Sequence, residues 1–339
     1  MAKVLVTGAT GFIGFHVIRA LVRQGHQLTC LVRKKSSLER LAGLEFRRLD
    51  GDVRDVESLA RAMTGQEVVY HLAGLVKATR VEHLYQVNCE GAANVARACA
   101  ALGTPPVLLV VSSLAAMGPS APGRPRSESD PPAPASHYGR SKLAGEQEAR
   151  KWAKHVPITI LRPPVVFGEG DAATFEMFRP IARCGIHAVP SWRTHWLSLI
   201  HADDLADAMI RAVERGRRII SDPADGAAAA QGCYFVAAER DLTFAQLGRM
   251  MGAALGHRHT LVLRTGPVIV WSTAGLATLF AKLCRQPWYF SLDKAREARA
   301  GSWTCSSSAV ARDLDFSTAK PLEDRLRQTA QWYRENGWL

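Results

Sequence analysis

Tyr138 and Lys142, four residues apart, carry the plainest chemistry in the chain. The segment around them reads as a helix, with Ser136 at its cap and Leu143, Ala144 and Ala149 patterned along it, so both side chains fall on one face. An ammonium beside a phenol favours the phenolate and draws its pKa from about 10 toward the working pH. Tyr138 is then usable as a proton donor or acceptor. A bare Tyr-x-x-x-Lys is common in helices; this one gains meaning from what precedes it. Upstream, an apolar run at 107–111 ends in Ser112 and Ser113, and further upstream lies a glycine-rich turn.

The elements that position these groups begin with an apolar strand from Val4, which runs into Gly8, Gly11 and Gly14, and a helical pattern continues to Leu21. Glycines spaced in this way let the backbone turn tightly against a pyrophosphate, while the helix that follows offers free N–H groups and its positive end. Strand, turn and helix stand in the order a dinucleotide site requires. A second β-rich run, 27–32, ends in Arg33, Lys34 and Lys35, with no Asp or Glu before Glu39. An acidic residue there would accept from the ribose of NAD, whereas an arginine accommodates a 2′-phosphate, so NADP is expected, with NAD possible.

Further strands are read at 46–53, ending in Asp52 and Val53, at 67–74, closing in Leu72, Ala73 and Gly74, and at 107–111. A helix is read between the last two, at 88–101. Runs that are apolar throughout and separated by helices describe a parallel sheet covered on both faces. His71, alone inside an apolar strand, reads as a hydrogen-bonded core residue. The segment 119–135, rich in Pro, Ser and Gly, reads as a loop at a pocket rim, and 222–232 as a flexible surface excursion before a strand at 233–237. The pattern at 322–334 is an amphipathic helix on the outside of a smaller lobe.

At 339 residues the chain is long enough for two lobes. Its net charge of +12 comes from basic residues spread along the sequence without a nucleic-acid-reading motif, so no nucleic-acid partner is expected. A share of that charge could serve an anionic cofactor or a membrane surface. Seven cysteines form no metal or Cys-x-x-Cys spacing and read as reduced and mostly buried. His257 and His259 read as a surface turn, and no metal site is expected. The start of the chain runs directly into a strand, which gives the expectation of a cytoplasmic protein. The apolar stretch 267–283 is too short and too rich in small polar residues for a comfortable bilayer span. It reads as a buried or pocket-lining helix, with an interfacial helix as the alternative.

Taken together, 7–14, Asp52–Val53, 71–74 and the Tyr138–Lys142 pair resemble the extended branch of the short-chain dehydrogenase/reductase superfamily (the NAD-dependent epimerase/dehydratase family) over nearly the whole chain. The resemblance implies an α/β fold: a Rossmann-type doubly wound parallel sheet with a smaller, mainly helical C-terminal substrate lobe. The coenzyme domain would take 1–168 plus 198–238, and the substrate lobe 169–197 plus 239–339. It implies Ser113, rather than Ser112, with Tyr138 and Lys142 as catalytic residues. Gly8, Thr10, Gly11, Phe12, Ile13, Gly14, Arg33, Lys34, Asp52, Val53, Leu72, Ala73, Gly74, Tyr138, Lys142, Pro163 and Val166 would bind the coenzyme. By the same likeness Lys142 would hold the nicotinamide ribose and keep the Tyr138 pKa low, and His201, Asp203 and Asp204 would be structural.

In place of the asparagine that nucleotide-sugar enzymes of this branch commonly carry after Leu-Arg, this chain has Pro163–Pro164. That looks more like the 3β-hydroxysteroid dehydrogenase and dihydroflavonol-reductase-like groups, which accept bulky apolar carbonyl or alcohol compounds. Trp192, Trp196 and Met177 are candidates to line such a pocket, or ordinary core. The expected function is NAD(P)-dependent oxidoreduction of a small-molecule substrate of this kind, sterol-like or flavonoid-like. A nucleotide-sugar epimerase/dehydratase with retained NAD and a non-catalytic NADP sensor are the alternatives. A homodimer built from 88–101 and 138–152 and a peripheral membrane contact complete the expected partners.

Overall fold

In a computed structural model of the chain, residues 1–221, 230–284 and 291–339 are described; most of the excursion read at 222–232 therefore lies outside the described residues. Six strands are laid down in the first half: β1 (Lys3–Thr7), β2 (Gln27–Val32), β3 (Arg47–Asp50), β4 (Val68–His71), β5 (Val107–Val111) and β6 (Ile158–Arg162). With the later strand Cys233–Phe235 they form one seven-stranded sheet. Its order is β3-β2-β1-β4-β5-β6 followed by Cys233–Phe235, and every pairing in it is parallel. Val4, Leu5, Val6, Leu108 and Leu109 are all fully buried, with no alternation, because helices cover both faces.

The connecting helices are α1 (Phe12–Arg23), α2 (Val56–Met63), α3 (Val81–Tyr85), α4 (Gly91–Ala100) and α5 (His137–Arg150). One apolar core, containing Val17, Leu21, Leu109, Leu205 and Met209, lies under α1 and the helix Ala202–Arg215. Another, containing Leu59, Val95, Cys99 and Ala149, lies under α2, α4 and α5. A third core gathers Phe167, Phe178, Leu197, Leu247, Met251, Leu326 and Tyr333. It is built by Ala172–Cys184, Phe244–Ala254 and the amphipathic helix Leu322–Glu335.

The helix read at 88–101 begins earlier than its pattern indicates. Helical structure runs from Val81, and a π-turn at Gln86–Glu90 joins α3 to α4. Asn88 sits in that turn, buried, its amide donating to the Leu75 carbonyl at 2.9 Å and to the Ser141 hydroxyl at 2.9 Å, while its oxygen accepts from the Leu75 N–H at 2.8 Å. A polar residue so committed breaks the apolar period that marks a helix in sequence. The loop 119–135 is tied down by a bridge between Ser120 and Ser302 and another between Arg126 and Cys305.

Helix α5 is locked to the sheet by one buried ion pair. Arg162, at the end of β6, donates through Nε to Glu146 Oε1 at 3.0 Å and through Nη2 to Oε2 at 2.6 Å. Both side chains are almost wholly buried. Burial works to raise the Glu146 pKa, but the guanidinium overrides it and holds the carboxyl below its ordinary value. Removing one partner strands the other charge without water. The variant Glu146→Gln is expected to lose about 3–5 kcal/mol of stability, seen as a lower urea midpoint; an unchanged midpoint would contradict this account of the lock.

Candidate functional site

The sheet reverses its winding between β1 and β4, and the crevice beyond their carboxyl ends is where open α/β sheets bind ligands. Gly8 turns out of β1 with φ +76°, and a side chain there would place its Cβ 2.6 Å from the Ala73 nitrogen. At Gly14 a Cβ would lie 2.3 Å from the Gly8 carbonyl oxygen. The two glycines let the turn, the 72–74 backbone and α1 converge. Gly11 is the N-cap of α1 and supplies no side-chain partner, which leaves first-turn N–H groups of Phe12, Ile13 and Gly14 for an anion. Thr10, Phe12 and Ile13 are half-buried around this mouth, as are Leu72 and Ala73. Behind it, the Thr7 hydroxyl is 2.8 Å from His71 Nδ1 and accepts from the Ala73 N–H at 3.3 Å. Burial, with the Lys142 charge adding to it, presses the His71 pKa down to about 3, so this imidazole stays neutral and holds the turn.

At the other end of the crevice a cavity of 570 Å³ is lined by Arg33, Lys34, Lys35, Ser36, Asp50, Gly51, Asp52 and Asp55. The three carboxylates are occupied locally. Asp50 accepts from Arg48 Nε at 2.7 Å, Asp52 takes both Nε and Nη2 of Arg54, and Asp55 caps α2 through the Glu57 N–H. The Arg54 hydrogen bonds are the main reason the Asp52 pKa lies below its ordinary value. Arg33, Lys34 and Lys35 are exposed and uncommitted to any side-chain hydrogen bond or ion pair among the described residues. Val53, beside Asp52, is buried in the core. A glycine cradle that any Cβ would fill, a helix end with no cap and a cavity lined by exposed cations fit a dinucleotide.

Between these ends, α5 delivers its polar face. Ser136 caps the helix, accepting from the Gly139 N–H at 2.9 Å. Tyr138, Lys142 and Glu146 follow at four-residue spacing on one face. The Tyr138 side chain is hydrogen-bonded to Ser113, whose hydroxyl also accepts from the Ala115 N–H at 3.1 Å. Ser112 is turned the other way, buried, where its hydroxyl helps hold the Glu146 carboxyl low. Lys142 donates to the Val111 carbonyl at 2.6 Å, and burial lowers its pKa to about 8, with Glu146 opposing. Of the remaining expected contacts, Pro163 is buried and accepts from the Leu114 N–H at 2.9 Å, while Val166 is half-buried on the strand Val165–Phe167.

The expected electrostatics of Tyr138 are altered in one respect. Its pKa is raised, first by burial, and the cation that pulls it back is Lys294, with the Ser113 hydrogen bond, and not Lys142. The Lys142 ammonium is drawn instead to the end of β5. Lys294 lies 5.1 Å from the centre of the Tyr138 ring and pairs with Glu297 at 2.6 Å. Burial disfavours its charge, yet Glu297 and its neighbours raise its pKa overall. Its helix, Leu292–Arg299, caps the start of α5: Asp293 accepts from the N–H groups of His137 at 2.9 Å and Tyr138 at 3.2 Å, and Glu297 accepts from the Ser136 hydroxyl at 2.5 Å. Sequence reasoning passed over Asp293, Lys294 and Glu297. They lie in an ordinary charged helix, and nothing in its pattern points toward Tyr138.

Three other readings are corrected or placed. Trp192 and Trp196 are exposed, so neither is core, whereas Met177 packs against the third core. The helix Pro267–Leu283 is not buried: among its described side chains Val270 and Ala274 are covered, against Ala295 and Leu292 of the cap, and the other large apolar ones face outward. A stretch that is apolar on all sides gives no period from which the covered face could be read. His201, Asp203 and Asp204 sit in an ion-pair network. His201 caps the helix Ala202–Arg215 and lies 3.1 Å from Glu169, Asp203 is 2.6 Å from His16 Nδ1 and 2.5 Å from Arg19, and Asp204 pairs with Arg325.

Comparison with known proteins identifies the family. The model of the NAD dependent epimerase/dehydratase family matches residues 4–222. A ceramide reductase of Caulobacter vibrioides is 33% identical over 99% of this chain and 96% of its own length. The mouse 3 beta-hydroxysteroid dehydrogenase type 7 is 32% identical over 59% of this chain and 63% of its own. Among solved structures, gox2253 superposes with a TM-score of 0.76 at 24% identity, covering 99% of both chains. The UDP-glucose 4-epimerase of Thermotoga maritima does so at 0.76 and 19% identity, over 98% of this chain and 99% of its own. These two share the fold. With a Rossmann-type sheet, a dinucleotide cradle at its switch point and a family match over most of its length, the chain belongs to the NAD-dependent epimerase/dehydratase family, the extended short-chain dehydrogenase/reductases.

Proposed function

We propose that the protein reduces the carbonyl of a bulky, apolar, lipid-like substrate at the expense of NADPH. The observation that carries this is the convergence of Ser113, Tyr138 and Lys142 beside the dinucleotide cradle. Similarity to a ceramide reductase along nearly the full length of both chains supports a substrate of ceramide-like bulk. Bound in the crevice, NADPH would supply the hydride. Gly8, Thr10, Gly11, Phe12, Ile13 and Gly14 would hold its pyrophosphate, and Asp52, Val53, Leu72, Ala73 and Gly74 would flank the adenosine and its link. Pro163 and Val166 would bound the nicotinamide. Arg33 and Lys34 would pair with the 2′-phosphate, because they line the cavity at the end of β2 and are exposed there.

In this reading Ser113 and Tyr138 donate hydrogen bonds to the substrate oxygen, and Tyr138 gives up its phenolic proton as that oxygen becomes an alkoxide. A raised phenol pKa keeps the proton in place at neutral pH. Lys142 orients the nicotinamide ribose from its anchor on Val111. Lys294 sets how readily the proton leaves. The proposal includes peripheral contact with a membrane as the source of an apolar substrate, and a cytoplasmic location. A homodimer through α4 and α5 would rest on polar contacts, since Asn94, Arg97, Glu148, Lys151 and His155 line a hollow on that face.

Three measurements test the reading. With NADPH and long-chain keto-lipids, the wild type is expected to oxidise the coenzyme, and Tyr138→Phe to lose turnover by at least about a hundredfold while still binding NADPH. Near-normal turnover in that variant would remove the assignment, and stoichiometric NAD released on denaturing the wild type would favour an epimerase that retains its coenzyme. Arg33→Glu should move preference from NADPH toward NADH, read as the ratio of the two kcat/KM values; an unmoved ratio would place the 2′-phosphate elsewhere. The third concerns pH. Reduction needs a protonated phenol and fails as pH rises through its pKa, so Lys294→Met, which removes a cation that lowers that pKa, should shift the alkaline limb of kcat/KM upward by about one unit.

A further inference from the structure

Among the described residues, exposed large apolar side chains are concentrated beside the cap. On Pro267–Leu283, Val268 is 75% exposed and Leu276 68%, and Ile269, Leu279 and Phe280 are also outward. The surface continues through the preceding strand Leu261–Arg264, where Leu261 and Leu263 face out, to Trp192, which is 64% exposed. Trp192 sits against Gly266, and its carbonyl accepts from Arg264 at 2.6 Å.

We infer that this surface docks on an anionic phospholipid bilayer, with Pro267–Leu283 lying in the interface. Three features favour that occupant over a second protein. First, the charge is one-sided: no Asp or Glu occurs between Asp241 and Asp293, or between Glu176 and Asp203, while Arg193, Arg258 and Arg264 stand exposed in these segments. Segments that bear cations and no carboxylates are drawn to acidic headgroups. Second, two threonines of the helix bond their hydroxyls to its own backbone. Thr273 donates to the Ile269 carbonyl and Thr278 to the Ala274 carbonyl, each at 2.7 Å, so these hydroxyls need no water when the helix enters hydrocarbon. Third, among the described residues no helix is long and apolar enough to cross a membrane, and a seventeen-residue helix with Val268, Ile269, Trp271, Leu276, Leu279 and Phe280 exposed suits one lying flat.

The docked helix touches the active-site cap directly. The Thr278 hydroxyl accepts from the Leu292 N–H at 3.1 Å, and Val270 and Ala274 pack on Ala295, next to the Lys294 that faces Tyr138. Docking therefore brings the mouth of the site to the lipid surface. For its purpose this rests on the proposed apolar substrate; for its physics it does not.

The test is sedimentation of the full-length protein with vesicles of phosphatidylcholine, with and without phosphatidylglycerol. The wild type is expected to pellet with the phosphatidylglycerol vesicles, about tenfold less with phosphatidylcholine alone, and to be released by salt. Val268→Asp with Leu276→Asp changes two exposed positions and should abolish pelleting while leaving the thermal midpoint and NADPH binding intact. Undiminished pelleting of that variant, or no pelleting of the wild type, overturns the inference. Wild-type dimers that become monomers in the variant, with no vesicle binding by either, would give the face to a second copy. Failure to reduce any keto-lipid would end the reductase reading and leave the vesicle result standing.

Discussion

The geometry of the site depends on how α5 is fixed. The helix is held by charged groups at its start and along its length, and of these the Glu146–Arg162 pair is almost wholly buried. At its middle, Glu146 is clamped by Arg162 from the end of β6, and at its start Asp293 and Glu297 take the free N–H groups and the Ser136 hydroxyl. Tyr138 and Lys142 lie between these two anchors and inherit their rigidity. A surface pair would be screened and mobile; a buried one is costly to break and so fixes a single register of helix on sheet. The register matters because Ser113 and Tyr138 come from different elements and must meet.

Around that fixed helix the chemistry is graded by environment. His71, buried, and Lys142, half-buried, lie near the same strand ends, yet one is held neutral and the other retains most of its charge at neutral pH. The phenol is pushed toward its protonated form by burial and pulled back by Lys294. A single crevice thus contains a neutral imidazole, a cationic amine and a phenol held protonated. No metal is needed to create the differences: depth, neighbours and hydrogen bonds do so.

Much of the frame was legible in the sequence because it is local. Gly8, Gly11 and Gly14 follow a strand and open a helix, and the continuous apolar runs announce a parallel sheet; both rules need only adjacent residues. Ser136, Tyr138 and Lys142 could be put on one helix by spacing alone. The cap could not, since Asp293 and Lys294 reach Tyr138 across more than a hundred and fifty residues of chain and look like any solvated charges. The exposure of Pro267–Leu283 was hidden for the opposite reason: apolar residues on every side describe a buried helix and a membrane-facing one equally well. The basic end of β2 was visible, but the carboxylates that share its cavity come from β3 and the turn after it, and only the fold shows that Arg48 and Arg54 neutralise two of them.

That same distance between Asp293 and the start of α5 has a consequence for biosynthesis. The sheet strands through β6 and the helices between them make mostly neighbouring contacts, so they can begin to form while synthesis continues. The N–H groups of His137 and Tyr138 must wait, open to solvent, until a segment 155 residues beyond Tyr138 has emerged and folded back. A chain interrupted before that point would hold the glycine cradle while the start of α5 still lacked its cap, so under the proposed function the ability to bind nucleotide would arise earlier on the ribosome than the ability to use it.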